Sequence, residues 1–138
     1  MKGTIVDASV TAAWLLDDEV SATADWVLEQ MQAGATVAAP SLWLLEVTSA
    51  VYNAERRKRI NRRHRDAALK RIEQMPIALF APPTLIDFAT ICRYADKHRL
   101  TPYDAEYLRI AKEQGMVLAS LDKNLLAAAA REKVSVVG

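Results

Sequence analysis

The chain has 138 residues, of which 51% are apolar and 25% charged, and its net charge is +1 at neutral pH. This is globular composition at a length that suits one domain over residues 1–138, and it excludes a disordered chain. The lone Cys92 excludes an intrachain disulfide and fits a reducing cytoplasm. No apolar run reaches the roughly 18 residues that cross a bilayer, and the start MKGTIVDAS holds too short an apolar stretch for a signal peptide. A soluble, cytoplasmic protein with no membrane association is expected.

Taken in chain order, Thr4 to Val6 predicts a short buried strand that ends at Asp7, and Ser9 is a candidate cap for a helix running to Leu16. Asp17, Asp18 and Glu19 interrupt the apolar pattern as a solvated charged turn. Ala24, Val27, Leu28 and Met31 fall at helical spacing, with Gly34 as the stop. Thr36 to Ala39 predicts the second strand. Pro40 and Ser41 then open a helix whose apolar stripe is Trp43, Val47, Ala50, Val51 and Ala54. Asn61 caps the next helix, with Ala68, Leu69 and Ile72 inward and Pro76 as terminator. Ile77 to Phe80 reads as a strand and Pro82-Pro83 as a turn. Leu85, Phe88, Ala89, Cys92 and Ala95 form the next helical stripe. Thr101 and Pro102 begin a helix in the cap and first-turn positions these residues prefer, and Gly115 ends it. Met116 to Ala119 is a strand, Asn124 to Arg131 a helix and Val134 to Val137 a final strand. Continuous apolar strands alternating with helices predict a parallel sheet covered on both faces, an α/β fold.

Four carboxylates stand near predicted strand ends or helix starts: Asp7, Glu46, Asp104 and Asp122. Ligands of open α/β sheets bind beyond the carboxyl ends of the strands, so the fold can gather these acids at one edge. Each alone also has an ordinary explanation. Asp104 is the third residue after Thr101 and can serve a capping box. Asp122 can cap the following helix, Asp7 can be a turn residue, and Glu46 can be a solvated helix position. Together they are harder to set aside. Glu46 lies in a largely apolar stretch, and no Lys or Arg occurs between Glu29 and Glu46 or in the first turns after Asp7. Crowded carboxylates repel by roughly 4 kcal/mol per close pair at an effective dielectric near 20. Divalent cations remove that repulsion, and an oxygen-only donor set suits Mg²⁺ or Mn²⁺. Such ions support phosphodiester hydrolysis by water. Asp25, Asp66, Asp87 and Asp96 fall on predicted helix exteriors instead.

The segments IVDAS at 5–9, PSLWLLEV at 40–47, LTPYDAEYLRIA at 100–111 and LASLDKNL at 118–125 resemble, in order and spacing, those of PIN-domain ribonucleases. In particular they resemble the VapC-type toxins of toxin–antitoxin operons, and the resemblance covers essentially the whole chain. It implies a PIN-like three-layer α/β/α fold with a central parallel sheet. It implies that Asp7, Glu46, Asp104 and Asp122 line a Mg²⁺ or Mn²⁺ site for RNA hydrolysis, with Asp7 and Asp104 matching the family's most regular ligands. Ser9 matches a hydroxyl residue close to the metal, Asn124 a polar position beside the last acid, and Thr101 opens the helix that carries Asp104. Homodimerisation and a small, VapB-like antitoxin partner are implied as well. Two positions depart from the commoner pattern: Ser49 replaces an Asn, and the residues before Asp122 read Ala-Ser-Leu where Ala-Thr-x is usual.

Residues 55–65, ERRKRINRRHR, concentrate positive charge. Arg56, Arg57, Arg59, Arg62 and Arg63 are candidate RNA contacts; a solvated helix–turn–helix tip is the plainer alternative. Arg62 and Arg63 follow the Asn61 cap, where a helix dipole disfavours cations by about 0.3–1 kcal/mol each. An antitoxin's acidic segment is a competing occupant. His64 and His98 are expected at the surface, with no zinc-type spacing. Cys92 is expected on a buried helix face. The expected function is a metal-dependent endoribonuclease; the alternative is a catalytically silent PIN-like module that binds RNA or protein. A phosphatase with an Asp-x-Asp nucleophile is disfavoured because residues 7–9 read Asp-Ala-Ser.

Overall fold

The computed structural model describes residues 3–16 and 18–138, so Asp17 of the charged turn lies outside the described residues. The described residues form five strands, β1 (Thr4–Val6), β2 (Val37–Ala39), β3 (Ile77–Leu79), β4 (Val117–Ala119) and β5 (Val136–Val137). All neighbours pair in parallel, in the order β3-β2-β1-β4-β5. Parallel strands need crossovers, and helices supply them. Helices α1 (Ala8–Leu15) and α2 (Ala22–Gln32) join β1 to β2, and α3 (Trp43–Arg56) and α4 (Arg62–Glu73) join β2 to β3. Helices α5 (Leu85–His98) and α6 (Pro102–Gln114) lead to β4, and α7 (Lys123–Arg131) leads to β5. The result is the expected three-layer α/β/α fold with a central parallel sheet.

The three central strands are buried at every residue, which is why they read as unbroken apolar runs. Edge strands β3 and β5 are partly exposed. Gly3 has a φ of 116°, and a Cβ there would stand 2.5 Å from the Thr36 carbonyl oxygen, so only glycine lets the chain enter the sheet so close to its neighbour. From β1 the chain builds outward through β2 and β3, then crosses back to place β4 on the other side of β1. The strand order therefore reverses between β1 and β4, and the crevice at their carboxyl ends is the place where such folds bind ligands.

Three local expectations are corrected. The cap of α1 is Asp7, whose carboxylate accepts from the Val10 N–H at 3.1 Å; Ser9 lies within the first turn. Helix α5 does not bury the Leu85, Phe88 and Ala89 stripe. Its inward residues are Ile91, Tyr94 and His98, while Leu85 is 94% and Phe88 65% exposed, and Cys92 is half-buried. The reason is that α5 packs on α6 rather than on the sheet, so only a narrow arc of the helix is covered. His98 is also buried, with its Nε2 2.7 Å from Glu132, whose carboxylate accepts from Lys97 and Lys112 as well. That cluster ties the ends of α5, α6 and α7 together.

Candidate functional site

At the reversal between β1 and β4, the Asp7 N–H donates to the Ala119 carbonyl at 3.2 Å, which sets the two strand ends side by side. Asp7 is buried, and its carboxylate is held by three donors: the Ser9 hydroxyl at 2.6 Å, the Val10 N–H and the Ser120 hydroxyl. Ser120 is completely buried and also accepts from the Asp122 N–H at 2.9 Å. Ser9 accepts from the Leu121 N–H at 3.0 Å. Two serines thus stitch the end of β1 to the turn that follows β4.

Asp122 caps α7, with Oδ1 accepting from the N–H groups of Asn124 and Leu125. The ordinary role considered for it is real, yet it uses one of the two carboxylate oxygens. Asp104 stands in the first turn of α6, where the Thr101 hydroxyl accepts from the Asp104 N–H at 3.1 Å. Glu46, in the first turn of α3, accepts from the Tyr107 hydroxyl at 2.7 Å. Tyr107 is buried, so it fixes Glu46 from beneath. Asn124 is exposed beside Asp122.

Glu46 and Asp104 sense the charge of the other acids. Burial raises the Asp7 carboxyl above its usual range, against the lowering effect of its serine and backbone donors. Glu46 is raised chiefly by burial, with the charges of Asp104 and Asp7 adding to it. Asp104 is raised by burial and then by the charges of Asp122 and Asp7. Among the described residues, none of the four has a Lys, Arg or His within ion-pairing distance. Nor do any three His, Cys, Asp or Glu side chains among the described residues stand close enough to make a closed metal cage. The donor set nonetheless fits Mg²⁺. That ion takes oxygen ligands, keeps several waters, and is usually held by only one or two carboxylates.

A hollow of about 630 Å³ opens at Glu46, lined by Ala8, Leu45, Ser49, Asn53 and the exposed Tyr103. The basic stretch divides in two. Arg59 is bound to Asp18 at 2.8 Å and to Glu19 at 3.6 Å, and Arg65 to Glu55 and Asp66. Arg56, Arg57, Arg62 and Arg63 are exposed. His64 is half-buried, with Nε2 3.1 Å from the Leu15 carbonyl oxygen. Sequence reasoning left Ser120 and Tyr107 out of the site. The available signals were a hydroxyl two residues before Asp122 and a tyrosine three residues after Asp104, one helical turn along the same face.

Comparison with solved structures gives the same fold. PAE2754 from Pyrobaculum aerophilum superposes with a TM-score of 0.73 at 25% identity, covering 97% of this chain and 82% of that one. FitAcB from Neisseria gonorrhoeae gives 0.68 at 19% identity, over 98% of this chain and 96% of that one. VapC20 from Mycobacterium tuberculosis, a Sarcin-Ricin loop cleaving toxin, gives 0.65 at 17% identity, over 91% and 95%. No curated protein sequence matches significantly. The model of the PIN domain matches residues 4–131, nearly the whole length. The chain therefore belongs to the PIN domain family, whose members are generally nucleases.

Proposed function

We propose that this protein is a Mg²⁺- or Mn²⁺-dependent endoribonuclease and the toxin of a toxin–antitoxin pair, a single-domain cytoplasmic protein that works as a homodimer. The observation that carries the reading is electrostatic: Asp7, Glu46 and Asp104 are held above their usual range by burial, the last two also by the charge of neighbouring acids, with no cation among the described residues to relieve them. Stability alone gives no reason to assemble such a group. In this reading Asp7 and Asp104 are the principal metal ligands, and Glu46 and Asp122 complete or orient the set.

A divalent ion held by these carboxylates would supply Lewis-acid chemistry, lowering the pKa of a water and neutralising charge on the phosphate. The chain's own groups prepare that chemistry. Ser9 and Ser120 hold the Asp7 carboxylate in one rotamer, and Tyr107 does the same for Glu46. Thr101 secures the first turn of α6, which carries Asp104, and Asn124 offers an exposed amide at the rim. Attack by water needs no ribose 2′-hydroxyl, so the products should carry 5′-phosphate and 3′-hydroxyl ends. RNA as substrate and an antitoxin as partner draw support from a relative that cleaves the Sarcin-Ricin loop and from another solved as the FitAB assembly on DNA.

The test is cleavage of total bacterial RNA by the purified protein with Mg²⁺ or Mn²⁺, with EDTA, and with Asp7→Asn. Discrete fragments that disappear with EDTA and with the variant, and that carry 5′-phosphates, are expected. Cyclic 2′,3′-phosphate ends would overturn the mechanism. Intact RNA throughout, from folded protein that binds Mg²⁺, would favour the silent binding module.

A further inference from the structure

The positive charge at the turn between α3 and α4 is not uniform. Arg59 and Arg65 are held by acids, and Arg71 donates to the Trp14 carbonyl at 2.7 Å, so these three brace the fold. Arg56, Arg57, Lys58, Arg62 and Arg63 are exposed and have no acid within ion-pairing distance among the described residues; Arg56 lies 6.0 Å from the Tyr52 ring. Three of these five sit where the backbone would prefer something else. Lys58 has a φ of 62°, the left-handed position after a helix that favours glycine. Arg62 and Arg63 occupy the first turn of α4, where the helix dipole opposes a cation. Local folding does not explain why cations stand there.

These cations are connected to the carboxylates. Glu46, Ser49 and Asn53 on α3, and its C-cap Arg57, fall three or four residues apart along one side. The hollow at Glu46 shares Ala50 and Asn53 with a second of about 290 Å³ that reaches Arg57 and Arg59. That one shares Arg59 with a third, of about 550 Å³, bordered by Lys58 and Arg62. The acids on this wall, Glu19 and Glu55, are already paired with Arg59 and Arg65. Three adjoining hollows thus lead from Glu46 to the basic turn, and together they outline a groove along α3. From Glu46 to Arg57 it spans about 16 Å of helix, or about five phosphates of a stacked strand.

We propose that the α3 groove is the track for a single-stranded flank of the nucleic acid substrate, with Arg57, Lys58, Arg62 and Arg63 binding its phosphates a few nucleotides from the bond that is cut. The proposal rests on the nuclease reading above and adds the route of the strand. Bound metal at the carboxylate end would hold the reacting phosphate, and the free cations would hold its neighbours.

The test is binding of a labelled single-stranded RNA in EDTA, where no cleavage occurs, as a function of salt. The variant is Lys58→Gly with Arg62→Gln and Arg63→Gln. Glycine relieves the left-handed backbone, and glutamine removes an unfavourable charge, so the Tm should be at or above that of the wild type. Each lost phosphate contact lowers the salt slope of binding to a single strand by about 0.7, so the triple variant should lose about 2. Between about 50 and 200 mM salt the wild type should then lose about eighteenfold more affinity than the variant. An unchanged slope overturns the proposal, and so does loss of binding to polyglutamate with RNA binding intact, which would assign the tip to an acidic protein segment. The two readings separate cleanly. Wild type that binds RNA with the steep slope but never cuts it sinks the nuclease reading alone. Cleavage with an unchanged slope sinks the groove alone.

Discussion

Asp104→Asn should abolish cleavage and at the same time stabilise the metal-free protein. Asp104 is half-buried, and its carboxyl is raised first by burial, then by Asp122 and Asp7. Two charges repel by about 4 kcal/mol at 4 Å and about 2 kcal/mol at 8 Å at an effective dielectric near 20. Water at the half-open site screens this to roughly 1–2 kcal/mol. Asparagine forgoes about 0.3–1 kcal/mol of favourable charge in the first turn of α6. The net gain is about 1 kcal/mol, or roughly 3–5 °C in Tm for a chain of this length. The pH dependence has a defined sign. A carboxyl whose folded pKa lies above its ordinary 3.8 takes up protons in the folded state first as pH falls, so the repulsion present at neutral pH is lost on acidification. The advantage of the variant, measured by thermal unfolding in EDTA, should be full at pH 7 and close towards pH 4. Mg²⁺ at about a hundred times its Kd should raise the wild type by about 2.7 kcal/mol, roughly 8–13 °C, and the variant by far less. A variant that is no more stable than the wild type in EDTA, with the same Mg²⁺ response, would refute the view that these acids form an uncompensated metal cluster.

Glu132→Gln should behave in the opposite way. Lys112, Lys97 and His98 hold the Glu132 carboxyl at about 2 against an ordinary 4.5, equivalent to about 3 kcal/mol. Lys97 and Lys112 are 59% and 44% exposed, and screening by solvent reduces this to about 1–2 kcal/mol. The lowered pKa makes that stability present above pH 4.5 and lost as pH falls through about 2. Chemical denaturation should therefore show a deficit at pH 7 that shrinks below pH 4; equal stability at pH 7 would count against the cluster. Ser120→Ala removes a buried donor to Asp7 and an acceptor for the Asp122 N–H. Losing a hydrogen bond to a charged group costs about 1.5–3 kcal/mol. A Tm lowered by roughly 5–15 °C is expected, and an unchanged Tm would remove Ser120 from the support of the site.

The four acids stand out as candidates because each sits in a local pattern: a strand end, a helix cap or the first turn of a helix. Their near supports, Ser9 and Thr101, stand out in the same way; their distant ones do not. The partners of Asp7 and Glu46 lie 113 and 61 residues away, in Ser120 and Tyr107, and no local pattern shows a contact at that separation. The first cap was misassigned because Asp7 and Ser9 are both good cap residues, and only the path of the chain out of β1 selects Asp7. Periodicity failed on α5 for a different reason. The stripe through Leu85, Phe88 and Cys92 is more apolar than the one through Ile91, Tyr94 and His98. A helix with one packing neighbour is oriented by that neighbour, and here the buried anchor is a histidine whose acid lies 34 residues on. The same distant partner made His98 look like a surface residue.

The two ends of the sheet treat buried acid in opposite ways, and the contrast bears on function. Glu132 adjoins a hollow bordered by Gly115, Val117 and Ser135, at the starts of β4 and β5, and there one carboxylate receives three donors. At the other end of the sheet, the carboxylates of Asp7, Glu46 and Asp122 receive hydroxyl or backbone donors, and among the described residues neither they nor Asp104 meet a cation. The chain has no shortage of cations, with 18 Lys and Arg against 17 Asp and Glu. Five of them stand exposed at the turn between α3 and α4, with no acid at ion-pairing distance among the described residues. A lysine near the crevice would relieve the acids, and an acid beside the free arginines would relieve them; among the described residues neither pairing occurs. Uncompensated charge of opposite sign at these two places disfavours the isolated fold, and a metal ion at one and phosphates at the other would offset both penalties together.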